Sequence, residues 1–187
     1  IWLNILDLRN ILCWMEVNGS AALAARGEAM ADSIENLAAR ISKIEDVEEI
    51  RRLKARYLRA CDLKQAEDVR TCFLPGEIRI DYQGFPLFTD RDKFAETYRE
   101  MACRDGVYDL HHASNADIEL TGSDTATGRW SLNFRTILLA ARQVTRLAVE
   151  YEDRYRKHDG RWWISETASR ITSSRTRALA ILPSGER

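Results

Sequence analysis

Proline occurs only three times and glycine nine times in the 187 residues, so obligatory chain breakers are few. A collagen-like, low-complexity or Pro/Gly-rich disordered chain is excluded. Cysteine is scarce as well. Cys13, Cys61, Cys72 and Cys103 form no C-x-x-C pair and no tight cluster with the three histidines, which argues against a zinc site. Their scatter suits reduced thiols used as small core residues in a cytoplasmic protein. Charge of one sign is missing too. The 28 Lys+Arg against 29 Asp+Glu leave a net −1, with no basic excess to hold a phosphate backbone, and nucleic acid is not an expected partner. No apolar run approaches the roughly 18–20 residues of a membrane span. The opening Ile1–Met15 is apolar, but it carries Asp7 and Arg9 and lacks the basic start of a secretory signal. A Gly-rich phosphate loop, HExxH and GxSxG are all absent, which leaves several large enzyme classes without support.

What remains is a length and a 45% hydrophobic content that suit one globular domain with an appendage. Residues 1–29 begin without methionine and match nothing that follows; they are expected to be a weakly structured or non-native lead-in, with Met30 a candidate natural start. From Ser33, the residues Ile34, Leu37, Ile41 and Ile44 recur at three- and four-residue steps. The pattern continues through Val47, Ile50, Leu53, Tyr57 and Cys61, which predicts a long helix or two abutting helices ending near Asp62. Ala66–Leu74 reads as a second helix stopped by Pro75-Gly76. Ile78, Ile80 and Tyr82 then alternate as a short strand, and Asp90–Cys103 is helical, with Asp90 and Asp92 at the positive end of its dipole. From Tyr108 onward the period is two, punctuated by Gly122-Ser123-Asp124 and by the hairpin signal His158-Asp159-Gly160; the last strand is Arg161–Ser174. Helices first and long antiparallel strands afterwards give an α+β domain at residues 30–176, followed by a tail at 177–187.

Several residues sit where stability alone would not place them. Asp62 ends a long helix, where the negative end of the dipole disfavours a carboxylate. His111 and His112 stand side by side in a strand, so pleating sends them to opposite faces and only one can enter a pocket. A neutral imidazole accepts a proton near pH 7, and a carboxylate on its other nitrogen would fix its tautomer. Arg170 is in phase with Trp162 and Ile164 on the last strand, and a guanidinium on an apolar face needs an acid or an anionic ligand group. Tyr57 lies on the apolar face of the first helix and is a candidate proton donor. Trp130, Phe134, Tyr151 and Trp162, with Tyr155 and Trp163, are strand aromatics that divide between core and the lining of an apolar cavity. No cofactor and no metal is called for.

The run Ile44-Glu45-Asp46-Val47-Glu48-Glu49-Ile50-Arg51-Arg52-Leu53, followed by Tyr57 and Asp62, resembles the opening helix of SnoaL-like proteins of the nuclear transport factor 2-like superfamily. His111 with Asn115, the Gly122–Ala126 turn, Tyr151-Glu152-Asp153-Arg154-Tyr155 and Asp159-Gly160-Arg161-Trp162 continue the likeness across Asp32 to Ser174. The resemblance implies a cone-shaped α+β barrel: a bent, mainly antiparallel sheet wrapped by N-terminal helices around an apolar pocket. At site level the likeness is to the scytalone dehydratase, bile acid 7α-dehydratase and hexachlorocyclohexane dehydrochlorinase branch. It implies His111 as general base, Asp62 as its orienting partner, and Tyr57 and Arg170 as further catalytic groups. Unbroken alternation would instead put His112 in phase with Leu110, Ile118 and Leu120, so His111 requires a bulge or a pocket on the other face. His112, Trp130, Phe134, Tyr151 and Trp162 are expected at the substrate pocket.

The activity so implied is a cofactor-independent lyase acting on a small apolar cyclic substrate such as a polyketide, steroid or aromatic-ring precursor. An isomerase or cyclase using the same dyad is an open alternative, as is a non-catalytic small subunit of a ring-hydroxylating dioxygenase or a ligand-binding module. A homo-dimer or homo-trimer is expected.

Overall fold

The computed structural model describes residues 5–179, with side chains from Arg26 onward except those of Glu28 and Ala29. Helix α1 spans Ile5–Asp62, α2 Ala66–Arg70 and α3 Arg91–Ala102; the strands are β1 Arg79–Tyr82, β2 Val107–Leu120, β3 Thr125–Leu138, β4 Gln143–His158 and β5 Arg161–Ala178. The chain divides into two compact units, Ile1–Glu45 and Asp46–Arg187.

In the first unit the segment expected to be a weakly structured lead-in is helical from Ile5, and residues 1–4 lie outside the described ones. Proline is absent before Pro75 and alanine is frequent between Ala21 and Ala39, so nothing here breaks a helix; Gly19 and Gly27 each cost about 1 kcal/mol, which weakens it without ending it. Every residue from Met30 to Glu45 is exposed.

The second unit holds the α+β domain. Its five strands form one sheet in the order β1-β5-β4-β3-β2. The β2–β3, β3–β4 and β4–β5 pairs are antiparallel and the short β1 joins β5 in parallel, so the sheet is mainly antiparallel with one parallel edge. The β4–β5 hairpin closes on Asp159 (φ 52°) and Gly160 (φ 71°), the two left-handed residues that a tight primed turn demands. The expected second helix stops at Arg70, short of Leu74. Beyond it the backbone turns to the sheet edge, where Leu74 N–H donates to the Ile164 carbonyl (2.9 Å) and Ile164 N–H to that of Cys72 (3.0 Å). β5 continues to Ala178, so the expected boundary at residue 177 falls inside a strand; residues 180–187 lie outside the described ones.

The core lies between the last third of α1, α2, α3 and the concave face of the sheet, around Ile50, Leu53, Phe73, Ile80, Trp162 and Ile164. Within it sits a polar knot. Lys54 Nζ and Asp153 Oδ2 are 2.7 Å apart with side chains only 1% and 0% exposed. Tyr155 and Thr167 hydroxyls donate to Asp153 (2.7 and 2.6 Å), Trp130 Nε1 donates to Tyr155 Oη (3.0 Å), and the ammonium lies 3.9 Å from the Tyr151 ring centroid. Three donors converge on the carboxylate, which offsets part of the desolvation cost of burying the pair. Gly128 makes room for this arrangement: a Cβ there would stand 2.9 Å from Tyr155 Cε2. A second tie fastens α1 to the hairpin, with Asp46 Oδ1 accepting from Lys157 Nζ (2.6 Å) and Trp162 Nε1 (2.8 Å). Cys61, Cys72 and Cys103 are free thiols, and burial pushes Cys72 up to about 11; the Cys13 side chain lies outside the described residues.

Candidate active site

The site is built where α1 ends. Lys64 takes a left-handed conformation (φ 61°), Gln65 N–H donates to the Ala60 carbonyl (3.0 Å) and Lys64 N–H to that of Cys61 (3.2 Å). These two bonds are a Schellman cap with lysine where glycine is usual. The lysine has a reason to be there: its Nζ pairs with Asp109 on β2, and Asp109 shares a strand face with His111. Tyr98 of α3 donates to the Cys61 carbonyl (2.6 Å) and Cys103 Sγ donates to that of Lys64 (3.3 Å). The last turn of α1, and Asp62 in it, is therefore held from β2 and from α3.

Asp62 has its unfavourable place at the helix terminus offset by two donors, both from His111. His111 N–H approaches its two carboxylate oxygens at 3.0 and 3.3 Å, and His111 Nδ1 lies 2.6 Å from Oδ1. An ionised carboxylate only accepts, so Nδ1 carries the hydrogen and Nε2 of the neutral ring is left as an acceptor. No described residue bonds Nε2. His111 enters this position because β2 carries a bulge: pairing with β3 shifts between Ser114 and Asp117, and Asn115 sits at φ 53°, where asparagine is tolerated. Before the bulge Asp109, His111 and Ala113 face inward; after it Ala116, Ile118 and Leu120 do.

The other side of the His111 ring lines a cavity of about 310 Å³ between α1, α3 and the sheet. Its walls are mostly apolar or aromatic, including Phe88, Phe94, Leu132, Phe134, Leu147 and Ile171, with Phe134 4.6 Å from the His111 ring between centroids. Polar side chains also reach it, among them Gln83, Asp109, Thr136 and Ser169. Tyr57 and Tyr82 share a hydrogen bond of 2.7 Å between their hydroxyls, and both line the cavity. Burial pushes both phenols well above the ordinary tyrosine value, so they stay protonated; their mutual bond uses one O–H and leaves the other to donate. Asp62 does not line this cavity. It faces an outer groove shared with Lys54, Leu110, His112 and Trp130, so His111 stands between the carboxylate and the cavity.

The structure thus brings together Asp62, His111, Tyr57, Phe134 and Tyr151. The other expected site residues fall elsewhere. Arg170 is exposed, while its neighbours Ser169 and Ile171 line the cavity. The phase inferred from Trp162 and Ile164 is broken by a bulge: Tyr155 pairs with Ile164 but Arg154 pairs with Glu166, so Ser165 is extra and residues Glu166 to Ile171 change face, up to a second bulge at Thr172. His112 is exposed on the outer groove, the face opposite His111. Trp130 is bound into the polar knot through Tyr155, and Trp162 is tied to Asp46; neither lines the cavity. Among the described residues no group of three or more His, Cys, Asp or Glu side chains is placed to hold a metal ion.

Two features escaped sequence reasoning. Tyr82 had been placed on a strand without a role; its alternation with Ile78 and Ile80 shows it faces inward, but the partner hydroxyl comes from a helix 25 residues away. Lys54 carried no expectation, although positions 50, 54, 57 and 61 form one helical stripe; Asp153, in phase between Tyr151 and Tyr155, is its matching signal on β4.

Comparison with known families matches residues 42–168 to the SnoaL-like domain. Solved structures share the fold at low identity. A type 2 hexachlorocyclohexane dehydrochlorinase (LinA) is similar at a TM-score of 0.68 with 16% identity, covering 78% of this chain and 99% of its own. A type 3 enzyme of the same name from Novosphingobium barchaimii is similar at a TM-score of 0.68 with 16% identity, covering 76% and 98%. A putative scytalone dehydratase from Novosphingobium aromaticivorans reaches 0.65 with 21% identity, covering 78% and 97%.

Proposed function

This chain belongs to the SnoaL-like domain family, and from that premise we propose that it is a cofactor-independent lyase removing water, or a comparable leaving group, from a small cyclic apolar substrate. The observation that carries the reading is the Asp62–His111 contact of 2.6 Å, with the second imidazole nitrogen open to an apolar cavity. The relatives with this fold that are named for eliminations, dehydratases and dehydrochlorinases, support it by analogy.

His111 Nε2 takes the proton from the carbon beside the leaving group, and Asp62 steadies the imidazolium that forms. The C–H electron pair becomes the new double bond, and the leaving group departs with its own bonding pair. Where that group is hydroxide, the imidazolium returns the proton and water is released. Tyr57, supported by Tyr82, donates a hydrogen bond to a substrate oxygen; its raised pKa suits a donor that keeps its proton. Among residues first expected to act, Arg170 has no part in this reading. The cavity of about 310 Å³ is at the small end of the roughly 300–1,000 Å³ range of ligand sites and suits one or two rings.

The test is turnover of the purified chain on a panel of one- and two-ring alcohols and ketols, followed by product mass. A product lighter by one water is expected; an unchanged mass would mean isomerisation or cyclisation instead. His111→Ala and Asp62→Asn should each lower the rate, the former by about 10²–10⁴-fold. Undiminished turnover in both variants would remove the dyad from the chemistry.

A further inference from the structure

Helix α1 carries a feature that the elimination reading leaves unused. Met30, Ile34, Leu37, Ile41 and Ile44 are 64%, 61%, 54%, 48% and 69% exposed. Their spacing is four, three, four, three residues, the alternation of a heptad seam, with Ile34 and Ile41 at the a positions and Met30, Leu37 and Ile44 at d. Most of this stripe precedes residue 42, where the SnoaL-like domain begins. We infer that it is the seam of a parallel two-stranded coiled coil formed with a second copy of this chain.

Three observations select that occupant. First, β-branched isoleucine at a with leucine at the central d position favours two parallel strands. Second, the flanks are complementary to themselves. Arg40 is at g and Glu45 at the following e; both are exposed, and in a parallel pair each faces its opposite on the partner helix. In an antiparallel pair g meets g and e meets e, which would set arginine against arginine and glutamate against glutamate. The remaining flanking positions, Ala31, Ser33 and Ala38, are small and admit close approach of the helices. Third, the seam has defined ends. Gly27 takes the a position before it, and Glu48 and Arg51, both exposed, take the next two after it. The outward positions Glu35, Asn36, Ser42 and Lys43 are polar, so this is a stripe and not an all-round apolar helix, and no described helix is apolar enough to cross a membrane.

The experiment uses the full chain. Light scattering at micromolar concentration should give about twice the 21.5 kDa of one chain. Ile34→Glu combined with Ile41→Glu should halve that mass without changing the far-UV circular dichroism signature of a folded α+β protein. A monomeric parent, or a dimer that survives the double substitution, overturns the proposal; the second outcome would point to a contact on the sheet. In a Cys13→Ser background, Leu37→Cys should cross-link its two copies under mild oxidation while Cys13→Ser alone does not, and failure to do so overturns the parallel arrangement. Arg40→Glu or Glu45→Arg alone should weaken the dimer severalfold, and the two together should restore it. Equal weakening in the double variant would refute the charge pairing.

Discussion

Two of the acid–base contacts by which helix α1 meets the sheet lie about two turns apart and have opposite fates. Lys54–Asp153 closes at 2.7 Å and Asp62–His111 at 2.6 Å. The first is sealed: its side chains are 1% and 0% exposed, Tyr155 and Thr167 also donate to Asp153, and Tyr151 covers the ammonium. In the second the carboxylate is 23% exposed and the imidazole 13% exposed, and one ring nitrogen has no protein partner. A contact between an acid and a base therefore does not by itself mark a catalyst. What separates the two is whether any proton-accepting atom is left for something other than protein. Burial draws the Lys54 ammonium below its ordinary value while Asp153 opposes the change.

The largest break in this contrast should come from Asp153→Ala. It leaves the Lys54 charge buried without its acid, and the expected loss is about 3–5 kcal/mol in chemical denaturation. A loss below 1 kcal/mol would mean the knot contributes little to holding α1 in place. Alkaline titration comes next. Burial raises Tyr57, Tyr82, Tyr98, Tyr151 and Tyr155, whereas unfolded phenols ionise at about 10. A pKa raised in the folded state gives stability that is complete below pH about 10 and is lost as the pH climbs beyond it. Phenolate absorbance from these five should thus appear together with the loss of circular dichroism; ionisation in an intact fold would contradict their burial. The smallest effect belongs to the dyad. His111→Gln should change stability by no more than about 1 kcal/mol while activity falls, the reverse of the knot. A large stability loss would make the open pair structural as well.

Much of the fold was legible because it is written in periods: three and four residues through Ile50, Leu53, Tyr57 and Cys61, and two from Tyr108 onward, with Asp159-Gly160 marking the hairpin. The Asp62–His111 pairing could be suggested by resemblance, and the requirement for a bulge followed from the alternation itself. Arg170 was misplaced because the bulge at Ser165 has no signature in residue type: no glycine or asparagine stands there, and the phase simply changes. Lys54 was invisible for a different reason. A lysine is read as solvated until a carboxylate is found for it, and the carboxylate is 99 residues further along the chain. Helical continuity through residues 5–29 was missed because Gly19-Ser20 and the alanine-rich stretch to Ala29 read as weakly structured, although alanine is the strongest helix former.

The bulge at Asn115 has a bearing on how this strand tolerates insertions and deletions. One residue gained between His112 and the turn that follows β2 would shift the frame and deliver the following position to Asp62. In most strands such a slip would replace a base with an inert side chain. Here the adjoining residue is another histidine, so the doublet carries a reserve imidazole one step out of frame.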